Sequence, residues 1–335
     1  MKVLLTGGTG YIGAHVAVEL LESGYHVVIA DDYSNSHPEV AGDIEKITGK
    51  TPTVYNLDVC DRQGLGRLFD TERPDAVIHL AGFKAVGESV REPLKYYMNN
   101  LGSTLSLLDS MQKHSCGKLV FSSSATVYGA SDSLPYTESM EPGASSSPYG
   151  STKQMIEKII VDMAESGLIS SVILRYFNPV GAHESGLIGE LPQGAPNNLM
   201  PYIMQVAVRK LPELSIFGND YPTKDGTGIR DYIHIVDLAR GHVSALIHCM
   251  KNDGVNVFNL GTGRGHSVLE LIEMYQRVNE VNIPYNIVPR RAGDLPVTYA
   301  DVSKSKRLMG WSAKLTLEDM CRTAHQFMLR NLGQK

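Results

Sequence analysis

The run Lys2-Val3-Leu4-Leu5-Thr6 leads straight into Gly7-Gly8-Thr9-Gly10-Tyr11-Ile12-Gly13: an apolar strand, a glycine-rich turn and the start of a helix. Few local patterns constrain a fold as tightly. Gly7, Gly10 and Gly13 are three apart; the first two let the main chain turn sharply and approach a ligand, and the third lets helix lie on strand. The free N–H groups and positive dipole end of the helix then face the turn, which makes it a seat for a pyrophosphate. A second apolar run, Tyr25 to Ala30, ends at Asp31, eighteen residues past Gly13. A carboxylate at that distance accepts bonds from a ribose diol and repels a 2′-phosphate, so the pattern reads as a site for NAD rather than NADP.

Up to about residue 176 apolar runs alternate with helical stretches: KVLLTG, HVVIA, PTVYNLD, DAVIHLAG, KLVFSSS and SVILRYF. That rhythm predicts an α/β fold with a doubly wound parallel sheet covered by helices on both faces. Such sheets bind ligands beyond the carboxyl ends of their strands. Gly7, Asp31, Asp58, Ala81 to Lys84, Ser122 to Ser124 and Tyr176 to Asn178 fall there. Beyond residue 177 the pattern breaks into long Pro- and Gly-rich loops, NPVGAHESGLIGELPQGAPNNLMP and FGNDYPTKDGTGIRDY, of the length that usually carries function. The expected division is a dinucleotide-binding domain over 1–177, rejoined by a returning segment near 231–262 that includes the strand GVNVFNLG, and a smaller mixed α/β substrate domain over 178–335.

With 335 residues, 42% of them apolar, the chain can bury a full core. A net charge of −5 with scattered Lys and Arg argues against a nucleic-acid or anionic-membrane surface. Cys60, Cys116, Cys249 and Cys321 are far apart, so neither a disulfide framework nor a metal site is expected. No apolar run reaches spanning length and the first residues lead directly into a core strand, so a cytoplasmic protein is the expectation.

Tyr149 and Lys153 lie at i and i+4 in SPYGSTKQMIEKIIVDM, on one face of a helix at its start, and Ser124 ends the fifth strand. A free tyrosine titrates near ~10, too high for a base at neutral pH. A neighbouring ammonium and the positive nicotinamide ring would lower it. Ser124 could then hold a substrate oxygen and relay its proton. The assembly suits removal of a hydroxyl proton while the attached C–H leaves as hydride. Elsewhere a Tyr-x-x-x-Lys is usually a packed ring and a solvated charge; behind a dinucleotide seat and a serine-rich strand end it reads as catalytic.

TGGTGYIG with Ser124, Tyr149 and Lys153 resembles the extended short-chain dehydrogenase/reductase family. Within it the runs GFKAVGESV, FSSSATVYG, SPYGSTK, LRYFNPVGAH, PNNLMPYI, IFGNDYPTKDGTGIRDYIH and RRAGDLP resemble the UDP-hexose 4-epimerases, from Val3 to about Trp311. The resemblance implies retained NAD and a reversible 4-epimerisation of UDP-glucose and UDP-galactose through a 4-keto sugar. With the motif itself, it assigns NAD contacts to Gly7, Gly10, Tyr11, Ile12, Gly13, Asp31, Asn35, Ser36, Asp58, Val59, Leu80, Ala81, Gly82, Lys84, Asn99, Ser122, Tyr149, Lys153 and Tyr176. For the UDP-sugar it nominates Lys84, Ser124, Tyr149, Asn178, Asn198, Leu199, Phe217, Arg230, Arg291, Asp294 and Thr298. Arg230 and Arg291 could neutralise a diphosphate, Phe217 could lie against uracil, and Asp294 could accept from a hydroxyl.

Two rivals share these features. A nucleotide-sugar 4,6-dehydratase also needs an acid and a base for elimination, which family dehydratases supply as Thr-Asp-Glu before Val-Tyr-Gly; here Ser124-Ala125-Thr126 precedes Val127-Tyr128-Gly129, without a carboxyl group. A catalytically silent NAD sensor is expected to lose the Tyr or the Lys, and both are kept. Where family members restricted to unacetylated hexoses carry a bulky Tyr against the sugar 2-position, this chain has Thr298, which leaves room for an N-acetyl group unless neighbouring Tyr299 closes it. Leu94, Met98, Leu101, Leu105 and Leu108, and Met155, Ile159 and Met163, recur at helical spacing, which predicts packing on the sheet. The resemblance adds that these two helices pair across a two-fold axis in a homodimer.

Overall fold

Burial on both faces explains the short, almost uninterrupted apolar strands of the N-terminal half. The computed structural model describes residues 1–131, 133–191, 196, 198–291 and 293–332. In chain order they form β1 (Lys2–Thr6), α1 (Tyr11–Glu22), β2 (His26–Asp31), α2 (Val40–Thr48), β3 (Thr53–Asn56), α3 (Arg62–Glu72), β4 (Ala76–His79), α4 (Val86–Arg91), α5 (Pro93–Lys113), β5 (Lys118–Ser122), α6 (Pro148–Glu165) and β6 (Ser170–Tyr176). Then follow β7 (Asn178–Val180), α7 (Leu199–Ala207), β8 (Leu214–Phe217), β9 (Ile229–Arg230), β10 (Tyr232–His234), α8 (Ile235–Lys251) and β11 (Val255–Leu260). The chain closes with β12 (His266–Ser267), α9 (Val268–Asn279), β13 (Tyr285–Val288), β14 (Val297–Thr298), α10 (Ser303–Met309) and α11 (Leu317–Leu332).

The doubly wound sheet expected from the strand rhythm is present as seven parallel strands in the order β11-β6-β5-β4-β1-β2-β3. The order reverses between β1 and β4, and there the loops after neighbouring strands diverge and leave a crevice. Two apolar layers hold the helices to the sheet. Val16, Leu20, Leu238 and Leu246 pack one face, and Leu65, Leu107, Ile156 and Ile160 pack the other. A third core, with Met200, Ile203, Leu271, Tyr275, Met320 and Ala324, joins α7, α9 and α11 around the small two-stranded sheets.

Local signals start the helices where the function needs them. Pro148 opens α6, and Ser147 Oγ accepts from Gly150 N at 3.2 Å, so Tyr149 stands in its first turn. Ser267 and Glu270 close a capping box on α9, and Asp61 caps α3. By contrast α1 begins at Gly10 with no side-chain cap and no acid in its first turn.

Helical spacing misplaces part of one helix pair. Leu108 is buried, and Leu101, Ile159 and Met163 pack against the core as expected, but Leu94 and Met98 are each 68% exposed, and Leu105 and Met155 are also exposed. The apolar stripe is wider than the sheet can cover, and α5 and α6 present its outer edge to solvent.

Candidate active site

The pyrophosphate seat is made of backbone. Gly7 adopts φ +70°, and a Cβ there would come within 2.9 Å of Ala81 N on the loop after β4. A Cβ on Gly13 would lie 2.1 Å from Gly7 O. Only glycine permits this closeness, which aims the uncapped N–H groups of α1 into the switch-point crevice; the cradle fits a dinucleotide diphosphate. NAD bound there would supply a reversible hydride acceptor beside the substrate carbon.

Asp31, buried at the end of β2, is already engaged. Its carboxylate accepts from Thr9 N and Tyr33 N, each at 3.0 Å, and from Ser36 Oγ at 2.8 Å. Thr9 Oγ1 lies 2.8 Å from Ser36 Oγ. The acid thus also shapes the loop that presents it. Val59 is buried, whereas Asn35, Asp58, Gly82 and Lys84 are exposed; Asp58 accepts from Cys60 N. Asn99 is half-buried and donates to Asn100, which fastens Phe83 and thereby the Leu80–Lys84 loop. Tyr11 Oη donates to Gly181 O at 2.7 Å, and Ile12 packs on the core beside it.

The residues beyond β5 and in the first turns of α6 are buried and polar. Lys153 Nζ donates to Ser122 O at 2.8 Å and sits 5.9 Å from the centre of the Tyr149 ring. Burial pulls the Lys153 pKa down to about 8, against the opposing charge of Glu157 one turn on. Tyr149 is pushed well up, by burial first and then by Tyr176, while Ser124 pulls the other way. The protein by itself therefore keeps the phenol protonated, and the lowering expected from a nearby ammonium is not delivered by Lys153 alone. A bound nicotinamide would supply the remaining positive charge. Tyr176 is likewise raised, by burial.

Ser124 Oγ accepts from Thr126 N at 3.2 Å and Thr126 Oγ1 at 3.0 Å, in the short turn Ala125–Tyr128 that it caps. With both lone pairs engaged, the hydroxyl is a donor. Relay of a proton through Ser124 would first break a Thr126 bond, which narrows the expected role to holding an oxygen. Ser122 is set deeper, its hydroxyl 3.1 Å from His242 Nε2, and it serves through its carbonyl. Sequence reasoning missed this second layer. Glu157 accepts from Ser123 Oγ (2.5 Å) and Arg175 Nη2 (2.7 Å), a buried pair under the catalytic face that only the i, i+4 spacing from Lys153 could have suggested.

The other nominated residues line a more open wall. Asn178, Asn198, Arg291 and Asp294 are exposed, and Leu199, Phe217, Arg230 and Thr298 half-buried. Arg230 Nη2 pairs with Asp294 Oδ1 at 2.6 Å, and the Arg291 guanidinium lies 3.9 Å from the Phe217 ring centre. Lys84 Nζ and Asn198 Nδ2 both donate to Glu190 Oε1, at 3.0 and 2.9 Å. Loss of water around Nζ works against the Lys84 ammonium although much of the side chain is exposed, but Glu190 more than offsets it, so Lys84 is held above the ordinary lysine value. Glu190 also escaped sequence reasoning; its one signal is a carboxylate inside an otherwise apolar, glycine-flanked stretch, Leu187-Ile188-Gly189-Glu190-Leu191.

Residues 3–261 match the model of the NAD dependent epimerase/dehydratase family. The chain belongs to that family. A UDP-glucose 4-epimerase of Bacillus subtilis is 52% identical over 99% of this chain and 98% of its own. The crystal structure of UDP-glucose 4-epimerase from Bifidobacterium longum in complex with NAD+ and UDP superposes with TM-score 0.97 at 49% identity, covering both chains fully. That of the Stenotrophomonas maltophila UDP-glucose-4-epimerase, with bound NAD and formylated UDP-arabinopyranose, gives 0.98 at 48%, again over all of both chains. Family fold and NAD as cofactor agree with the glycine cradle and Asp31.

Proposed function

We propose that this chain is an NAD-dependent UDP-glucose 4-epimerase in which Tyr149 exchanges the 4-hydroxyl proton, Lys153 fixes the charge beside it and Ser124 holds the oxygen at C4. The observation that supports this is a buried Ser-Tyr-Lys cluster beyond the carboxyl end of β5 and at the start of α6, two strands along the sheet from the glycine cradle after β1. Its relatives at about half identity are UDP-glucose 4-epimerases, and the reaction interconverts UDP-glucose and UDP-galactose. NAD supplies reversible hydride acceptance. Loss of the 4-hydroxyl proton to Tyr149 together with the C4 hydride, which the bound cofactor would accept, gives a 4-keto sugar; return of the hydride to the opposite face of that ketone, with the proton coming back from Tyr149 to its oxygen, re-forms the hydroxyl in the inverted configuration. The cofactor must stay bound through this cycle.

Arg230, Arg291, Asn198 and Lys84 would meet the diphosphate, Phe217 the uracil and Asp294 a hydroxyl; Asp31, Asn35, Ser36, Asp58 and Val59 would hold the adenosine half of NAD. For Phe217 to receive a base, Arg291 must leave the ring face it covers. An elimination is disfavoured because Ala125 and Thr126 offer no carboxyl group and Thr126 is engaged with Ser124.

Thr298 supports a wider substrate range. It pairs with Arg230 between parallel strands, so the two side chains share a face, while Tyr299 follows on the opposite face beside Gly265. The small side chain thus borders the nucleotide face and the large one is committed elsewhere. UDP-N-acetylglucosamine and UDP-N-acetylgalactosamine are interconverted as well.

The exposed residues Val90, Leu94, Met98, Leu105 and Met155 on α4, α5 and α6 form an apolar face suited to a two-fold pairing of the same helices. The protein is read as a homodimer. Among the described residues no helix is long and apolar enough to cross a membrane, which suits the cytoplasmic location proposed for it.

Mixing the purified protein with UDP-galactose, without added NAD, tests the reading. UDP-glucose should appear without net NADH. No conversion even with added NAD, or a 4-keto-6-deoxy product, would overturn it in favour of a sensor or a dehydratase.

A further inference from the structure

A carboxylate is out of place in a bay meant for a diphosphate, yet Glu190 is nine-tenths buried there and its Oε1 accepts from Lys84 and Asn198 together. It is rigidly delivered. Ala182 and Gly189 form an antiparallel bridge, His183 N donates to Ile188 O at 3.1 Å, and Gly189 lies so close to the Phe327 ring of α11 that a Cβ would come within 2.6 Å of it. At the base of this hairpin Gly181 O takes the Tyr11 hydroxyl, which ties the carrier of Glu190 to the first residue of α1. One carboxylate therefore joins a cation on the cofactor side of the crevice to an amide on the substrate side.

We propose that Glu190 is a built-in counter-ion for Lys84 that competes with the substrate's diphosphate and sets how tightly the site holds UDP-sugars; this rests on the reading of the site given above. The ammonium is already neutralised before an anionic ligand arrives, so the ligand gains only the difference between two anions. A lysine without that partner would tighten substrate and product alike, which slows release without speeding the chemistry.

The NAD-containing enzyme is titrated with UDP by calorimetry, and the KM for UDP-galactose is measured alongside. Glu190→Gln keeps an oxygen to accept from both donors and removes the charge. The Kd for UDP and the KM should fall together by about three- to tenfold. Glu190→Asp restores the charge and should return the Kd to within about twofold of the wild type. Unchanged or weaker UDP binding in Glu190→Gln, or Glu190→Asp behaving like Glu190→Gln, overturns the proposal. A wild-type protein that binds no UDP overturns both this proposal and the reading of the site. One that binds UDP but does not convert UDP-galactose overturns the reaction alone, and the comparison of variants still decides Glu190.

Discussion

The two walls of the crevice are built on different principles. The cofactor wall is backbone and buried hydroxyl: Gly7 and Gly13 have no room for a side chain, and Tyr149, Lys153 and Ser124 are closed in by α6 and β5. The substrate wall instead carries charged and aromatic side chains that satisfy one another, Arg230 with Asp294 and Arg291 with Phe217, and Glu190, which pairs with Lys84 of the cofactor side. On the reading proposed above, a cofactor that must stay would meet geometry that cannot relax, and a substrate that must come and go would meet groups able to exchange one partner for another.

The sharpest blow to the rigid wall is Tyr149→Phe. Only the phenol oxygen is lost, so turnover should fall by about 10²–10⁴-fold with NAD still bound; an unchanged kcat removes Tyr149 from the mechanism. Next is Gly13→Ala, whose Cβ has no space against Gly7 O. The variant should purify with little NAD and lose about 1–3 kcal/mol in denaturant unfolding, and full cofactor content would break the claim that the cradle is backbone-limited.

Within the cofactor wall the charge of Lys153 is held only weakly, because burial opposes it. As pH rises through about 8 the ammonium loses its proton, and with it the positive charge beside Tyr149, so turnover should decline on the alkaline side with an apparent pKa near that value. Lys153→Met should lose the limb, and lower both kcat and NAD affinity; an unaltered profile refutes the assignment.

On the adaptable wall the effects are smaller and selective. Thr298→Tyr should abolish turnover of the N-acetyl substrates and spare UDP-galactose. Absence of N-acetyl turnover in the wild type sinks that extension. Asp294→Asn breaks a half-exposed ion pair, so the unfolding free energy should move by no more than about 0.5 kcal/mol; a loss several times larger would show that this wall is structural after all.

The cofactor half was largely legible because its signals are local. Glycine spacing, an acid at the end of the next strand and a Tyr and Lys one turn apart all refer to neighbours in the chain, and the strand rhythm reports burial directly. The substrate half was legible only through the resemblance of whole runs, since Arg230 and Asp294 are sixty-four positions apart and nothing local pairs them. Glu190 was missed for that reason: its partners lie 106 residues before it and 8 after it. Helical spacing also misled at Leu94, Met98, Leu105 and Met155, because periodicity tells which residues share a face but not what covers that face.

By itself the sequence determined the layer architecture and nominated the dinucleotide seat and the catalytic side chains, because each depends on short-range geometry that the order of residues dictates. Only the tertiary structure decided which groups already hold a partner: that Ser124 is left as a donor, that burial keeps the Tyr149 proton in place, and that Lys84 meets Glu190. Protonation and pairing are set by burial and by charges brought close in space, and chain order does not encode those distances.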